Sequence, residues 1–177
     1  MGEKPLEMAA LYGLLHTTSR LTERIGTELE ARTGMPVAWF ELLVKLAHEP
    51  EGRRRMGELA DTLLLSRGGA TRLVARVEDA GLVRREIPRD DRRATYAVIT
   101  AEGRRAVEQA EPVYEELVAR CFTAFTEPAE LATLVFMCQR ILRGNGTECA
   151  PVNEAVAVLS LSPAAAGAGS PPPPAAS

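Results

Sequence analysis

The hydrophobic residues of the first thirty positions recur at the spacing of an α-helix. They lie seven, four and four residues apart, with charged residues between them: Leu14, Leu21, Ile25 and Leu29. This period predicts a helix over residues 5–32 that ends at Gly34. A second helix is predicted from Pro36 to about Ala47, because proline is favoured at the start of a helix and positions 39, 42, 43 and 46 are apolar.

Two shorter apolar patterns follow, and together they predict a helix-turn-helix. The stretch MGELADTLLLS (56–66) has apolar residues at helical spacing, and so does SRGGATRLVARVEDAG (66–81). The apolar face of the second stretch consists of Ala70, Leu73, Val74 and Val77. Ser66 is placed to cap this second helix, because a serine hydroxyl can accept a hydrogen bond from an amide of the first turn. Two compact helices with a short connector are typical of a DNA-binding helix pair.

The polar face of this second helix suits contact with DNA. Its outward side chains are Arg67, Thr71, Arg72 and Arg76. Arginine binds phosphates and guanine edges through a planar fork of donors. Gly68 and Gly69 occupy the first turn, where they exclude base recognition by a side chain. Either the backbone approaches DNA closely at these glycines, or this end of the helix becomes ordered on binding.

Residues 83–100 predict a β-hairpin. The strands are VRREI (83–87) and ATYAVIT (94–100), and the charged loop PRDDRR (88–93) joins them. Beside a recognition helix, such a hairpin forms a wing that can reach the minor groove, whose negative potential attracts arginine. An aspartate at the base of the loop can hold an arginine two residues further on in a fixed orientation.

Helical patterns resume after the hairpin. Residues 101 to about 125 predict a helix that is interrupted or kinked near Pro112, and another helix follows Thr126. The last helix has more apolar positions than one chain can bury, which predicts pairing with a second copy: Leu131, Leu134, Val135, Cys138, Ile141 and Leu142. The segment 148–177 is rich in Ala, Pro, Ser and Gly, with four consecutive prolines, and predicts a disordered tail.

Charge is distributed unevenly along the chain. The net charge is -3, yet the segment from Arg53 to Arg93 contains 11 arginines and 7 acidic residues. This local excess of positive charge favours a nucleic-acid partner. The alternative is a winged-helix module that binds other proteins, and such a module would not need the basic cluster.

Composition narrows the remaining classes of function. The sequence has no apolar run long enough to span a membrane and no signal peptide, which predicts a cytoplasmic protein without membrane contact. Three cysteines at irregular spacing and two histidines fit neither a disulfide framework nor a metal site. The chain also has no glycine-rich phosphate loop and no nucleophile with an identifiable base, so we expect it not to be an enzyme.

The run from Met56 to Gly103 resembles the winged helix-turn-helix of the multiple antibiotic resistance regulator (MarR) family. Its most specific part, DRRATYAVITAEG, matches the family's wing signature at Asp91, Arg93, Ile99, Thr100 and Gly103. With the flanking helices, the resemblance covers about residues 5–143. It implies a mainly α fold with a small β-hairpin wing. Residues 36–100 would form the winged helix-turn-helix, and residues 5–32 and 101–143 would form dimerisation helices, all within a domain of residues 1–147.

The resemblance also implies a function. The chain would be a sequence-specific regulator of transcription, a ligand-responsive repressor that binds a pseudo-palindromic operator in double-stranded DNA as a homodimer. It implies no cofactor. The DNA contacts would come from the recognition helix and the wing: Ser66, Arg67, Thr71, Arg72, Arg76, Arg92 and Arg93. Asp91 would orient Arg93.

A small aromatic or anionic effector would bind in a cleft between the dimerisation helices and the winged part. The candidate effector-binding residues are Tyr12, His16, Arg20, Trp39 and Phe40, each of which could equally be an ordinary core or surface residue. Redox sensing by cysteine is a minor alternative, because Cys121 and Cys138 lie on predicted dimerisation helices, where a small buried thiol is the simpler interpretation.

Overall fold

Helices account for most of the chain in the computed structural model, which describes residues 5–63, 65–88, 94–147, 149 and 152–153. The elements in order are α1 (Pro5–Thr33), α2 (Val37–Ala47), β1 (Arg53–Arg55), α3 (Met56–Thr62), α4 (Arg67–Asp79), β2 (Val83–Glu86), β3 (Tyr96–Ile99), α5 (Ala101–Cys121) and α6 (Pro128–Gly144). The chain divides into two compact units, Met1–Phe125 and Thr126–Ser177. Most of the predicted tail, 148–177, lies outside the described residues.

The first two helices begin and end within a residue or two of their predicted positions. Only the C-terminal part of α1 is buried, at Ile25, Gly26 and Leu29, whereas Leu14 of the same apolar stripe is 44% exposed. In α2, Trp39 is only half-buried, and the residues that enter the core are Phe40, Leu42, Leu43 and Leu46. The N-terminal part of α1 therefore has an apolar stripe that the single chain does not cover.

The sheet has three antiparallel strands in the order β1-β3-β2, one more than the sequence predicted. The predicted hairpin forms between β2 and β3, with Val83 opposite Ile99 and Glu86 opposite Tyr96. The additional strand β1 places Arg55 opposite Tyr96. Three consecutive arginines show no alternation of polar and apolar residues, so the sequence pattern did not indicate this strand.

The helix after the sheet is not interrupted at Pro112, and that part of the prediction was wrong. The helix α5 runs unbroken from Ala101 to Cys121, and a 3₁₀ turn, Thr123–Phe125, follows it. A proline inside a helix removes one amide donor and leaves the carbonyl four residues earlier without its helical partner. That carbonyl belongs to Glu108, which is exposed, so water can satisfy it.

The core of the first unit is mainly aliphatic, in a chain of which only 5% of the residues are aromatic. Its largest fully buried side chains are Leu29, Leu42, Leu43, Leu46, Leu59, Leu117, Val74, Val77 and Val83. These residues come from α1 to α5 and β2, so the helix pair α3 and α4 is anchored to the same core as the hairpin. The anchoring fixes the position of α4 beside the sheet.

The second unit contains α6, and none of the 17 residues of this helix is buried. Phe136, Met137 and Ile141 are 39%, 45% and 50% exposed. Over the described residues, no single helix is long and apolar enough to cross a membrane.

Candidate DNA-binding site

The site is built around the start of α4, which has the predicted serine cap. The Ser66 backbone is extended, and its Oγ accepts a hydrogen bond from the Gly69 amide at 3.1 Å. The first amides of a helix have no carbonyl partner inside the helix, so a side-chain acceptor stabilises this end. The cap defines where the recognition helix begins and therefore which side chains face outward.

The helix α4 separates apolar and basic residues onto opposite faces. Its apolar face is buried, as predicted, at Ala70, Leu73, Val74 and Val77. The residues predicted to contact DNA are exposed: Ser66, Arg67, Thr71, Arg72 and Arg76. Thr71 Oγ1 donates to the Arg67 carbonyl at 2.9 Å, so this hydroxyl also closes the first turn of the helix. The exposed face carries three arginines that can reach phosphates or base edges.

The two glycines in the first turn of α4 have different surroundings. A Cβ atom on Gly69 would lie 3.2 Å from Ser66 Oγ and 3.6 Å from Leu65 Cβ, so the cap itself crowds this position. A Cβ atom on Gly68 would meet only Arg72 Nη1, at 4.0 Å. Neither glycine has a positive φ. The fold accounts for glycine at position 69, but it does not require glycine at position 68.

The wing is described only in part. The strands β2 and β3 and the residues up to Pro88 and from Ala94 are described, whereas residues 89–93 are outside the description. The predicted wing residues Asp91, Arg92 and Arg93 therefore lie outside the described residues, and their roles stay predictions.

A carboxylate of α4 contacts the first strand of the wing. Glu78 Oε1 accepts a hydrogen bond from the Arg85 main-chain amide at 2.8 Å, and Glu78 Oε2 lies 2.6 Å from Arg85 Nε and from Arg85 Nη2. The Arg85 guanidinium, followed by the amide, holds the pKa of Glu78 below its ordinary value. The sequence analysis missed this pair, because its members are seven residues apart and belong to different elements.

Two arginines of β1 contact one tyrosine of β3. The guanidinium carbons of Arg53 and Arg55 lie 5.1 and 5.6 Å from the centre of the Tyr96 ring. Arg55 Nε also donates to the Tyr96 hydroxyl at 2.9 Å. The aromatic ring attracts both cations, which holds them on the face of the sheet that carries Tyr96. The sequence analysis counted these arginines in the basic cluster but did not place them on a strand.

The predicted effector-binding residues are not brought together in one place by the described contacts. Tyr12, His16 and Arg20 are exposed on α1, and Arg20 forms an ion pair with Glu23. Phe40 is 4% exposed and packs against Tyr114, with ring centres 4.7 Å apart.

A titratable pair lies beside the packed rings of α2 and α5. Burial raises the pKa of Glu41, and the nearby charge of Lys45 opposes this shift. Burial, followed by the charge of Glu41, raises the pKa of Tyr114. Within the described part of the chain, no group of three or more His, Cys, Asp or Glu side chains could hold a metal ion.

Comparisons with known proteins agree with this architecture. A sequence model of the MarR family matches residues 33–94. The transcriptional regulator AbsC of Streptomyces coelicolor is 29% identical, with a TM-score of 0.74, and the match covers 81% of this chain and 99% of AbsC. Sco3205 of the same organism, solved in complex with DNA, is 28% identical, with a TM-score of 0.76 over 81% of this chain and 90% of Sco3205. The chain is therefore similar to the MarR family, in sequence over residues 33–94 and in fold over most of its length. Among curated proteins, no sequence matches it.

The similarity to MarR family proteins indicates the general role of the chain. Both similar Streptomyces proteins are MarR family transcriptional regulators, and the chain is accordingly a DNA-binding regulator of transcription with a winged helix-turn-helix. At 22% identity, CouR of Rhodococcus jostii, solved with bound p-coumaroyl-CoA, shares the fold, with a TM-score of 0.67 over 78% of this chain and 95% of CouR.

Proposed function

We propose that this regulator is a ligand-responsive repressor that binds a pseudo-palindromic operator as a homodimer. The observation that carries the proposal is the division of α4 into a buried apolar face and an exposed face with Arg67, Arg72 and Arg76. This arrangement supports base contacts from α4 in the major groove, with Ser66 and Thr71 at the start of the same helix. Arg92 and Arg93, with Asp91 as the residue that orients Arg93, are the proposed minor-groove contacts.

Exposed apolar surface supports the homodimer. In the first unit, the N-terminal part of α1 exposes apolar side chains by 40–80%: Leu6, Met8, Leu11, Leu14 and Leu15. In the second unit, α6 exposes Phe136, Met137 and Ile141. A second copy that covered these residues would bury apolar surface, and the resulting dimer would contain two copies of α4. A two-fold dimer places its recognition helices about 34 Å apart, which matches one turn of DNA.

Side chains on α1 and α2 support the response to a ligand. CouR was solved with an aromatic, anionic ligand, which is the chemistry expected for an effector. In this chain, Tyr12, His16 and Arg20 offer an exposed phenol, imidazole and guanidinium on successive turns of α1. Trp39 is the half-buried candidate of α2, and the buried Phe40 would become available only if α2 and α5 moved apart.

The proposal assigns DNA binding to residues 1–147 and no part of it to residues 148–177. A chain truncated after Thr147 should therefore bind the operator with the affinity of the full chain. A loss of binding in the truncated chain would contradict this division.

The first test is a gel shift with the purified full chain and the promoter region beside its own gene, at two salt concentrations and with excess competitor DNA. A competitor-resistant complex that weakens with salt is expected, because arginine–phosphate contacts release counterions. The variant Arg93→Ala should weaken this complex while the protein stays folded.

The same gel shift distinguishes a DNA-binding regulator from the alternative, a module that binds other proteins. A winged-helix module that binds proteins would show no operator complex that survives the competitor, and Arg93→Ala would leave its weak DNA binding unchanged. Addition of aromatic carboxylates or their thioesters to the operator complex then tests the effector class, with release of DNA as the expected result.

A further inference from the structure

The carboxylate of Glu78 joins the recognition helix to the wing through two different bonds. One oxygen accepts from the Arg85 main-chain amide at 2.8 Å, and the other lies 2.6 Å from the Arg85 guanidinium. Glu78 belongs to the last turn of α4, and Arg85 is the third residue of β2. A single side chain therefore fixes both a backbone position and a side chain of the strand.

The backbone bond satisfies a donor at the edge of the sheet. In the order β1-β3-β2, the strand β2 has a neighbour on one side only. Alternate amides of an edge strand point away from the sheet and need a partner from elsewhere. Glu78 supplies this partner from α4 and so fixes how far along the helix the strand lies.

The geometry matters for DNA binding because the helix and the wing contact different grooves. Affinity is highest when both contacts are already in place before binding, since a mobile wing would have to be ordered in the complex. A charge-assisted bond shortens and strengthens the contact between α4 and β2.

We infer that Glu78 is a positioning residue for DNA binding, which holds β2 against α4 so that the helix and the wing engage the major and minor grooves together. The inference rests on the proposed function of α4 and the wing. Glu78 does not touch the DNA in this role. Its effect reaches the DNA through Arg85 and the course of the strand that leads into the wing.

A second ion pair offers a matched control. Arg32 Nη2 of α1 lies 2.7 Å from Glu116 Oε2 of α5, which also joins two elements distant in sequence. The side-chain exposures are 41% and 53% in this pair and 43% and 27% in the Arg85–Glu78 pair. Glu116→Ala should therefore remove a comparable surface ion pair without altering the position of the wing.

The experiment compares Glu78→Ala, Glu116→Ala and the unaltered full chain on the operator found by the gel shift. Dimethyl sulfate reports protection of guanine N7 in the major groove, and hydroxyl radicals report protection of sugars in the minor groove. For Glu78→Ala we expect an affinity loss of about 10-fold, ~1.4 kcal/mol, with retained major-groove protection and lost minor-groove protection. For Glu116→Ala we expect an unchanged footprint and affinity. Glu78→Gln keeps an acceptor for the Arg85 amide and should fall between Glu78→Ala and the unaltered chain.

Three outcomes would overturn the inference. They are an unchanged footprint in Glu78→Ala, an equal loss of protection in both grooves, and the same affinity loss in Glu116→Ala as in Glu78→Ala. Failure of the proposed function is distinguishable, because in that case the unaltered chain itself would give no operator footprint. Thermal unfolding of both variants checks that each is folded at the temperature of the footprint.

Discussion

Ser66 Oγ accepts the hydrogen bond from the Gly69 amide at 3.1 Å, and this bond closes the first turn of the recognition helix. We therefore expect Ser66→Ala to lower the free energy of unfolding by about 1 kcal/mol, the usual effect of losing a helix cap. Ser66→Asp, which retains an acceptor, should lose much less. Urea denaturation followed by circular dichroism measures both changes, and equal stability of Ser66→Ala and the unaltered chain would contradict the cap.

The two glycines of the same turn should respond in opposite directions to alanine. Gly68→Ala should raise the free energy of unfolding by roughly 0.5–1 kcal/mol, because alanine favours the helix and the new methyl group meets only the Arg72 guanidinium. Gly69→Ala should give no such gain, because its Cβ would press on Ser66 Oγ. Denaturation midpoints of the two variants, compared in the same buffer, test the contrast. A gain of the same size in both would show that the cap leaves more space than the structure indicates.

Loss of Arg72 should weaken operator binding without weakening the fold. Its side chain is exposed on α4, so we expect Arg72→Ala to leave the fold intact and to cost about 1–3 kcal/mol of binding free energy. Arg105→Ala on α5 removes another exposed arginine, outside the helix-turn-helix, and should leave operator affinity unchanged. Fluorescence anisotropy at several salt concentrations measures both affinities. If the two variants lost equal affinity, the effect would come from total charge and not from α4.

A charge in the exposed apolar part of α1 should prevent dimerisation. Leu15 is 56% exposed in the single chain, and a carboxylate at this position would be costly to bury between two copies. We expect Leu15→Glu to sediment as a monomer at a concentration at which the unaltered chain is a dimer. Thr17→Glu is the control, because side chains two positions apart on a helix point towards nearly opposite faces. A dimer of unchanged stability in Leu15→Glu would exclude this part of α1 from the interface.

The ion pair between α1 and α5 should contribute to stability only above acidic pH. The Arg32 guanidinium holds the pKa of Glu116 below its ordinary value of 4.5. A carboxyl whose pKa is lower in the folded chain adds stability that is fully present above the unfolded value and is lost as the pH falls through the folded value. Arg32→Gln should therefore be less stable than the unaltered chain at about pH 7, and the difference should shrink towards about pH 3. Urea midpoints at the two pH values measure it, and a difference independent of pH would exclude the ion pair as its source.

The sequence predicted the helices well because each has a long apolar period and recognisable ends. Ser66 marked the start of α4 to the residue, and the apolar stripe of α4 is the one that the structure buries. Pro112 was misleading, because packing of α5 on the core stabilises the helix against the penalty of one proline, and the exposed Glu108 carbonyl can bind water. Local sequence rules describe the helix itself and not its surroundings.

The parts that the sequence could not predict all depend on contacts between distant residues. The strand β1 exists because Arg53 to Arg55 pair with β3, more than 40 residues later, as the Arg55–Tyr96 hydrogen bond illustrates. The Glu78–Arg85 contact likewise requires the chain to turn between α4 and β2. Gly103 was identified only as part of the family's wing signature. The structure supplies the physical reason for this glycine, because a Cβ atom there would collide with the carbonyl of Leu82, which lies 21 residues earlier.

Thr100 is the last residue before α5, and its hydroxyl forms hydrogen bonds with three other residues. Its Oγ1 accepts from the Gly103 amide at 3.0 Å and contacts the carbonyls of Gly81 and Leu82 at 2.8 and 3.0 Å. A Cβ atom at Gly103 would collide with the Leu82 carbonyl, so α5 begins in direct backbone contact with the turn that follows α4. The beginning of α5, the turn after α4 and the start of β2 are thus in direct contact at one place. We therefore expect a displacement of α5 at this end to shift the turn after α4 and the start of β2 as well, because these hydrogen bonds and the backbone contact connect them directly.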